Sequence, residues 1–230
     1  MAMYKAYVAA LELAMEAEAD PERAVAMKRY MRDQFEFLGL PAPMLNATVR
    51  TFLERHGLPR QEEAETVVRE LWLLPEREYQ YAALTLLTRL RGGAPRTRIH
   101  LYAELITTKS WWDTVDALAS NLVGHLLARY PDLIMPTVDA WSNSGNIWLQ
   151  RTAILFQLKY KTNTDVSLLF ELIMRCSGSQ EFFLQKAIGW ALREYSKTAP
   201  ETVRDFVAKH PLAPLSKREA LKAMQRAEQT

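Results

Sequence analysis

Leu149-Gln150-Arg151-Thr152-Ala153-Ile154 is a short apolar stretch with a glutamine in second place, and the chain uses this layout three times. Tyr79-Gln80-Tyr81-Ala82-Ala83-Leu84 and Leu184-Gln185-Lys186-Ala187-Ile188-Gly189 share it. Gln80 and Gln150 are 70 residues apart, and Gln150 and Gln185 are 35 apart. The unit is therefore 35 residues, used once and then doubled, with the segment at Trp112 filling the gap. A period near 35 with two helices per unit is the signature of a stacked α-solenoid. Such an array is expected to be all-α and curved, with its inner helices lining a concave groove. The four repeat-opening segments would face that groove and carry Tyr81, Trp112, Asp116, Arg151, Lys186 and Trp190. Residues 1–230 are expected to form one repeat domain.

Punctuation along the chain supports helices throughout. Alternation of β-branched residues is scarce, and the 8 glycines and 11 prolines fall mostly between periodic segments. Asp20-Pro21 reads as an N-cap followed by proline at the first helical position. Gly39-Leu40-Pro41 is expected to end the following helix, and Gly57-Leu58-Pro59 the next. Leu74-Pro75 breaks one segment and opens another, and Pro131, Pro136, Pro200, Pro211 and Pro214 punctuate the second half. Ser216-Lys217-Arg218-Glu219 has the form of a capping box that starts a last helix. The count is about a dozen helices of ordinary length.

Composition bounds the function classes. The chain is 49% hydrophobic and 24% charged, an ordinary globular balance. No apolar run approaches membrane-spanning length, and the acidic N-terminal stretch does not read as a signal peptide. Cys176 is the single cysteine, which excludes an internal disulfide and fits a reducing cytosol. Residues 141–230 hold 13 Lys and Arg against 8 Asp and Glu, whereas the first 140 residues hold 16 against 19. A basic second half suits a polyanion, although the same charges also suit solvated helix faces. There is no glycine-rich phosphate loop and no nucleophile motif. His56, His100, His125 and His210 are scattered, so neither a metal nor a cofactor is expected.

The run Ser110-Trp111-Trp112-Asp113-Thr114-Val115-Asp116 stands out. Ser110 followed by Asp113 resembles a capping box with Asp in place of Glu. A helix starting there sets Trp112 and Asp116 four residues apart on one face. An indole face and a carboxylate together attract positive charge. Trp111 points about 100° away and is assigned to packing.

Several segments resemble the AlkD family of bacterial DNA glycosylases. They are Arg69–Glu78, Thr108–Asp116, Asn146–Arg151, Gln185–Tyr195 and Pro214–Ala220, and the similarity runs from Met27 to Ala220. The resemblance implies a HEAT-like repeat fold that clasps duplex DNA and excises cationic alkylated purines such as 3-methyladenine and 7-methylguanine. It implies that the lesion stays in or near the base stack. It assigns the catalytic set to Trp112, Asp116, Arg151 and Trp190, with Arg151 anchoring a phosphate. Candidate DNA contacts are Tyr30, Lys109, Trp148, Lys159, Phe183, Lys186, Arg193, Lys217 and Arg218. A departure lies within Pro41–Val49, where the family carries adjacent arginines and this chain has the uncharged Pro43-Met44-Leu45-Asn46-Ala47.

Elementary chemistry agrees with these residue types. Cleaving a glycosidic bond builds positive charge on the sugar. A cationic purine departs neutral and needs no general acid, so one carboxylate suffices to stabilise the sugar cation. Indole faces would add about 0.5–2 kcal/mol each. With no lysine placed as a Schiff-base nucleophile, the expected enzyme is monofunctional and leaves an abasic site. It is expected to work as a monomer on double-stranded DNA containing alkylated bases, in the bacterial cytosol and away from membranes.

Each residue also has a plainer reading. Trp112 and Trp190 could be core, Asp116 a solvated first-turn acid, and Arg151 half of a surface ion pair. Trp148, Tyr30, Phe182 and Phe183 stand between core and contact roles. The loop Arg89–Arg98 suits phosphate contact and a solvated turn equally. Two rival functions remain: a DNA-structure binder without catalysis, which would lack the intact Trp112, Asp116 and Arg151 set, and a protein-binding scaffold, the commonest use of α-solenoids.

Overall fold

A computed structural model describes residues 3–227. Among them there is no β-strand, only an isolated parallel bridge between Glu36 and Glu76. None of these helices is long and apolar enough to cross a membrane. The chain falls into two compact units, Met1–Pro95 and Arg96–Thr230.

The first unit holds α1 (Met3–Glu16), α2 (Pro21–Tyr30), α3 (Ala42–His56), α4 (Gln61–Leu73) and α5 (Arg77–Leu90). Asp20 caps α2 by accepting from the Arg23 amide at 3.0 Å, with Pro21 at the first helical position as expected. The end of α2 differs from the sequence reading. The helix stops at Tyr30, not at Gly39, because Arg32 and Asp33 take left-handed conformations with φ of 56° and 57°. The chain then runs to Gly39, where φ is +92° and an added Cβ would lie 2.0 Å from the Asp20 carbonyl oxygen. Only glycine fits that approach. Glu78, fully buried at the start of α5, accepts hydrogen bonds from the amides of Leu38, Gly39 and Leu40 and so fixes this connection.

The second unit holds α6 (Arg98–Thr107), α7 (Trp112–Ala117), a π-helical segment (Leu118–Val123), α8 (Gly124–Arg129), α9 (Ile134–Ser142), α10 (Ile147–Leu155), α11 (Val166–Cys176), α12 (Phe182–Ser196), α13 (Pro200–Lys209) and α14 (Pro214–Ala227). Residues 151–157 are buried without interruption, so α10 is an interior helix rather than a surface one. It packs against α6, α7, α9, α11 and α12. On α12, Leu184, Ala187, Ile188, Ala191 and Leu192 form the apolar stripe, at the i, i+3, i+4, i+7 and i+8 spacing of a core-facing helix. Pro136 lies in the first turn of α9, where its missing amide proton costs nothing, so it does not interrupt that helix.

The repeat glutamines have a shared structural task. Gln80 donates to the carbonyls of Leu71, Trp72 and Leu74 at the end of α4. Gln150 donates to Ser142, the last residue of α9, at 3.1 Å. Gln185 donates to Ser179, just after α11, at 3.1 Å. Each satisfies carbonyls that a helix end leaves without a partner. The 35-residue unit is thus a helix pair whose second member closes the first.

Two helix starts differ from the sequence reading. α7 begins at Trp112 with the extended Trp111 as its cap, and Ser110 instead donates backwards to the Ile106 carbonyl at 2.6 Å. α14 begins at Pro214, two residues before the apparent capping box. The Ser216 hydroxyl donates to the Gln185 carbonyl at 2.9 Å, and Glu219 turns toward α12. Both serines satisfy carbonyls of earlier segments, which local spacing does not reveal.

Candidate functional site

Helical periodicity places the site. On α12 the face beside the apolar stripe carries Phe182, Lys186, Trp190 and Arg193, and all four line one pocket of about 360 Å³. α7 adds Trp112 and Asp116, one turn apart on the same face. α10 adds Arg151, and α14 adds Glu219. The whole pocket belongs to the second unit.

Asp116 and Arg151 are 35 residues apart, one repeat, and so occupy equivalent places on neighbouring helices. Their side chains meet at two points, Nε to Oδ1 at 2.7 Å and Nη2 to Oδ2 at 2.9 Å. The remaining guanidinium nitrogen, Nη1, donates to the Phe183 carbonyl at 2.5 Å. The Arg151 side chain is only 5% exposed and that of Asp116 16%. A guanidinium this enclosed needs such pairing, because burial removes its hydration. Burial pushes the Asp116 carboxyl above its ordinary value; the Arg151 hydrogen bonds and charge oppose that rise, and Asp113 adds to it. In this geometry Arg151 holds a carboxylate and a main-chain carbonyl with three of its five N–H groups.

A second ionic group stands on the opposite helix. Glu219 accepts from Lys186 at 3.1 Å and from Arg193 at 2.8 Å. Burial works to raise the Glu219 carboxyl, but Lys186, Lys222 and Arg193 together hold it below its ordinary value. α14 comes this close because residue 189 is glycine. A Cβ there would lie 2.6 Å from the Glu219 Cβ and 3.0 Å from the Ser216 carbonyl oxygen.

Behind the pocket lies an aromatic cluster. Trp111 packs on Phe183 at 5.1 Å and on Trp148 at 5.9 Å, and Trp148 lies 4.9 Å from Phe183. Trp111 thus packs in this cluster, though from the extended cap before α7 rather than from a face of the helix. Phe183 does both, since it also lines the pocket.

Of the sequence candidates, the structure brings together Trp112, Asp116, Arg151, Trp190, Phe183, Lys186 and Arg193. Trp148 sits in the aromatic cluster and does not line the pocket. Lys159 donates to the Asn121 side chain, and Lys109 occupies the left-handed turn before α7 at φ 48°. Lys217 and Arg218 lie on α14 without lining the pocket. Tyr30 belongs to the first unit, at the end of α2, and is 73% exposed. Glu219 was missed because Ser216-x-x-Glu219 looked like a cap. The signal was its position: Ser216, Glu219, Ala220 and Met224 share the buried stripe of α14, where an acid requires a partner.

The model of a family described as "DNA alkylation repair enzyme" matches residues 11–224. The chain belongs to the DNA alkylation repair enzyme family. A solved structure described as a predicted DNA alkylation repair enzyme from Enterococcus faecalis is 34% identical, with a TM-score of 0.82, covering 89% of this chain and 95% of that one. A crystal structure of AlkD2 from Streptococcus mutans is 16% identical, with a TM-score of 0.58 over 77% of this chain and 87% of that one, and shares the helical-repeat fold. Curated proteins gave no match. The family expectation and the all-α repeat fold read from the motifs are borne out.

Proposed function

We propose that this family member is a DNA glycosylase that releases cationic alkylated purines, such as 3-methyladenine and 7-methylguanine, from duplex DNA. The observation that carries the proposal is the partly buried Asp116 carboxylate, fixed at two points by Arg151 in a pocket lined by the indoles of Trp112 and Trp190.

The chemistry follows from that arrangement. As the N-glycosidic bond breaks, its electron pair leaves with the base, which departs neutral because it began as a cation. Positive charge grows on the deoxyribose, in an oxocarbenium-like transition state. Asp116, held in one orientation before reaction begins, stabilises that charge without reorganisation. It also orients the water whose oxygen bonds to the sugar carbon, and the water's proton passes through the carboxylate to solvent. Trp112 and Trp190 offer ring faces to the sugar. Arg151 acts as a positioning residue for Asp116, and Lys186 and Arg193 face the backbone phosphates.

Two features favour the absence of a general acid and of a Schiff base. Glu219, the other carboxylate of the pocket, is held ionised by its two cations and has no proton to give. The Lys186 amine is engaged by the Glu219 carboxylate at 3.1 Å, so it is not presented to the sugar as a nucleophile. The enzyme is therefore monofunctional in this reading, a monomer acting in the bacterial cytosol on sugar and backbone with the lesion left in the stack.

The test is release of free base from duplexes carrying 7-methylguanine or hypoxanthine. The proposal expects efficient release of the first and poor release of the second, which would leave as an anion. Binding of methylated duplex without any base release would replace it with the DNA-structure binder. The absence of salt-dependent DNA affinity would replace it with the scaffold.

A further inference from the structure

Five ionisable side chains line the pocket: Asp116, Arg151, Lys186, Arg193 and Glu219. Asp116 and Arg151 cancel each other in their two-point pair. That leaves Lys186 and Arg193 against Glu219, which is 8% exposed and reaches one cation with each carboxylate oxygen. The net charge of the lining is +1. We propose that Glu219 is a positioning and selectivity residue: it holds Lys186 and Arg193 on the pocket wall and offsets their charge enough for a cationic nucleobase and a cationic sugar to form there.

The need for such a residue is electrostatic. Two basic side chains at the pocket attract phosphate, but they repel the positively charged base the site is to accept. A carboxylate shared between them keeps both ammonium and guanidinium in place for the backbone while reducing the repulsion at the lesion. Its place is built into the fold. Gly189 lets α14 approach α12, and the Ser216 hydroxyl fastens the start of α14 to the Gln185 carbonyl. Lys222, one turn further along α14, adds to the field that keeps Glu219 ionised.

This inference rests on the glycosylase reading, and its test is separable from it. Binding is measured to three short duplexes that differ at one centre: unmodified, a neutral tetrahydrofuran abasic site, and a cationic pyrrolidine abasic analogue. The wild-type protein is expected to favour pyrrolidine over tetrahydrofuran. Glu219→Gln is expected to lower that ratio about tenfold, which corresponds to about 1.4 kcal/mol, while binding unmodified duplex at least as tightly. Adding Lys186→Met to Glu219→Gln returns the lining to +1 and is expected to restore the ratio, which a merely structural role would not do. Lys186→Met alone makes the lining neutral and is expected to raise the ratio above wild type. That variant decides the matter if Glu219→Gln fails to fold.

An unchanged ratio in Glu219→Gln overturns the proposal, as does equal weakening on all three duplexes, or a wild-type protein with no preference for the cationic centre. Base release from 7-methylguanine reads the glycosylase reading by itself. A protein that releases no base yet loses its cation preference with Glu219 would sink that reading and keep this one.

Discussion

Arg151 and Asp116 lie one 35-residue repeat apart and meet in a two-point ion pair, Nε to Oδ1 at 2.7 Å and Nη2 to Oδ2 at 2.9 Å. The repeat explains the meeting. Helices one period apart stack side by side, so equivalent positions face each other. Asp116 gains a fixed orientation, and Arg151 gains the partner that its buried helix demands.

Arg151→Lys should therefore damage the site although it keeps the charge. A lysine ammonium cannot span both carboxylate oxygens and reach the Phe183 carbonyl as well. Arg151→Ala leaves a largely enclosed carboxylate, 16% exposed, without its partner, which costs on the order of 3 kcal/mol of stability. Thermal denaturation and base release measured on both variants check this. Arg151→Lys is expected to fold with base release reduced about a hundredfold, since misplacing a reacting group by about 1 Å has that cost. Near-wild-type release by Arg151→Lys would show that orientation of Asp116 is not what Arg151 supplies.

Acidity should reach the site early. Burial holds the Asp116 pKa above that of an ordinary carboxylate, with Arg151 opposing the rise. As pH falls, the folded protein protonates Asp116 sooner than it would an exposed acid, and the charge proposed to stabilise the sugar cation is lost. The acid limb of kcat/KM, which reports groups of the free enzyme, is expected above the ordinary carboxylate range. The stability contribution of the same group runs the other way, declining as pH rises from the unfolded value to the raised folded one. Glu219 has a lowered pKa, so its contribution is present above the ordinary value and lost as pH falls through the folded one. A kcat/KM limb at or below the pKa of an exposed aspartate would contradict the assignment to Asp116.

Gly189→Ala should disturb the pocket from behind. The new Cβ would press on Glu219 Cβ at 2.6 Å and on the Ser216 carbonyl oxygen at 3.0 Å, so α14 must move. The expected loss is about 1–3 kcal/mol, as for overpacked cores. Gly178→Ala is the control, because a Cβ there meets nothing within 4 Å. Melting both variants checks the prediction: Gly178→Ala should stay within about 0.5 kcal/mol of wild type, as surface changes usually do. Equal melting of the two would show that the α12–α14 contact yields freely.

The fold was legible because its signal repeats. Gln80, Gln150 and Gln185 mark the period, and the structure shows why: each closes the helix before it. The pairing of Trp112 with Asp116 was legible because four residues make one helical turn, wherever the helix starts. Partnership across the fold was not. Ser110 and Ser216 have the local spacing of caps, yet their hydroxyls donate to Ile106 and Gln185. Glu219 was hidden by that same local pattern, since its partners Lys186 and Arg193 lie on another helix. The grip of Arg151 on Asp116 is equally hidden, because it depends on how helices one repeat apart stack. Sequence punctuation carries α2 on to Gly39, because its stop at Tyr30 depends on left-handed Arg32 and Asp33, residue types that give little warning of it.

The most direct measurement is release of 7-methylguanine from methylated duplex DNA by the wild-type protein and by Asp116→Asn, side by side. Asn keeps the shape of Asp116 but removes the charge proposed to stabilise the sugar cation, so wild type should release the base and Asp116→Asn should be slower by about a hundredfold or more, the usual cost of losing one electrostatic stabiliser. Equal rates, or no release by the wild type, would contradict the role given to Asp116.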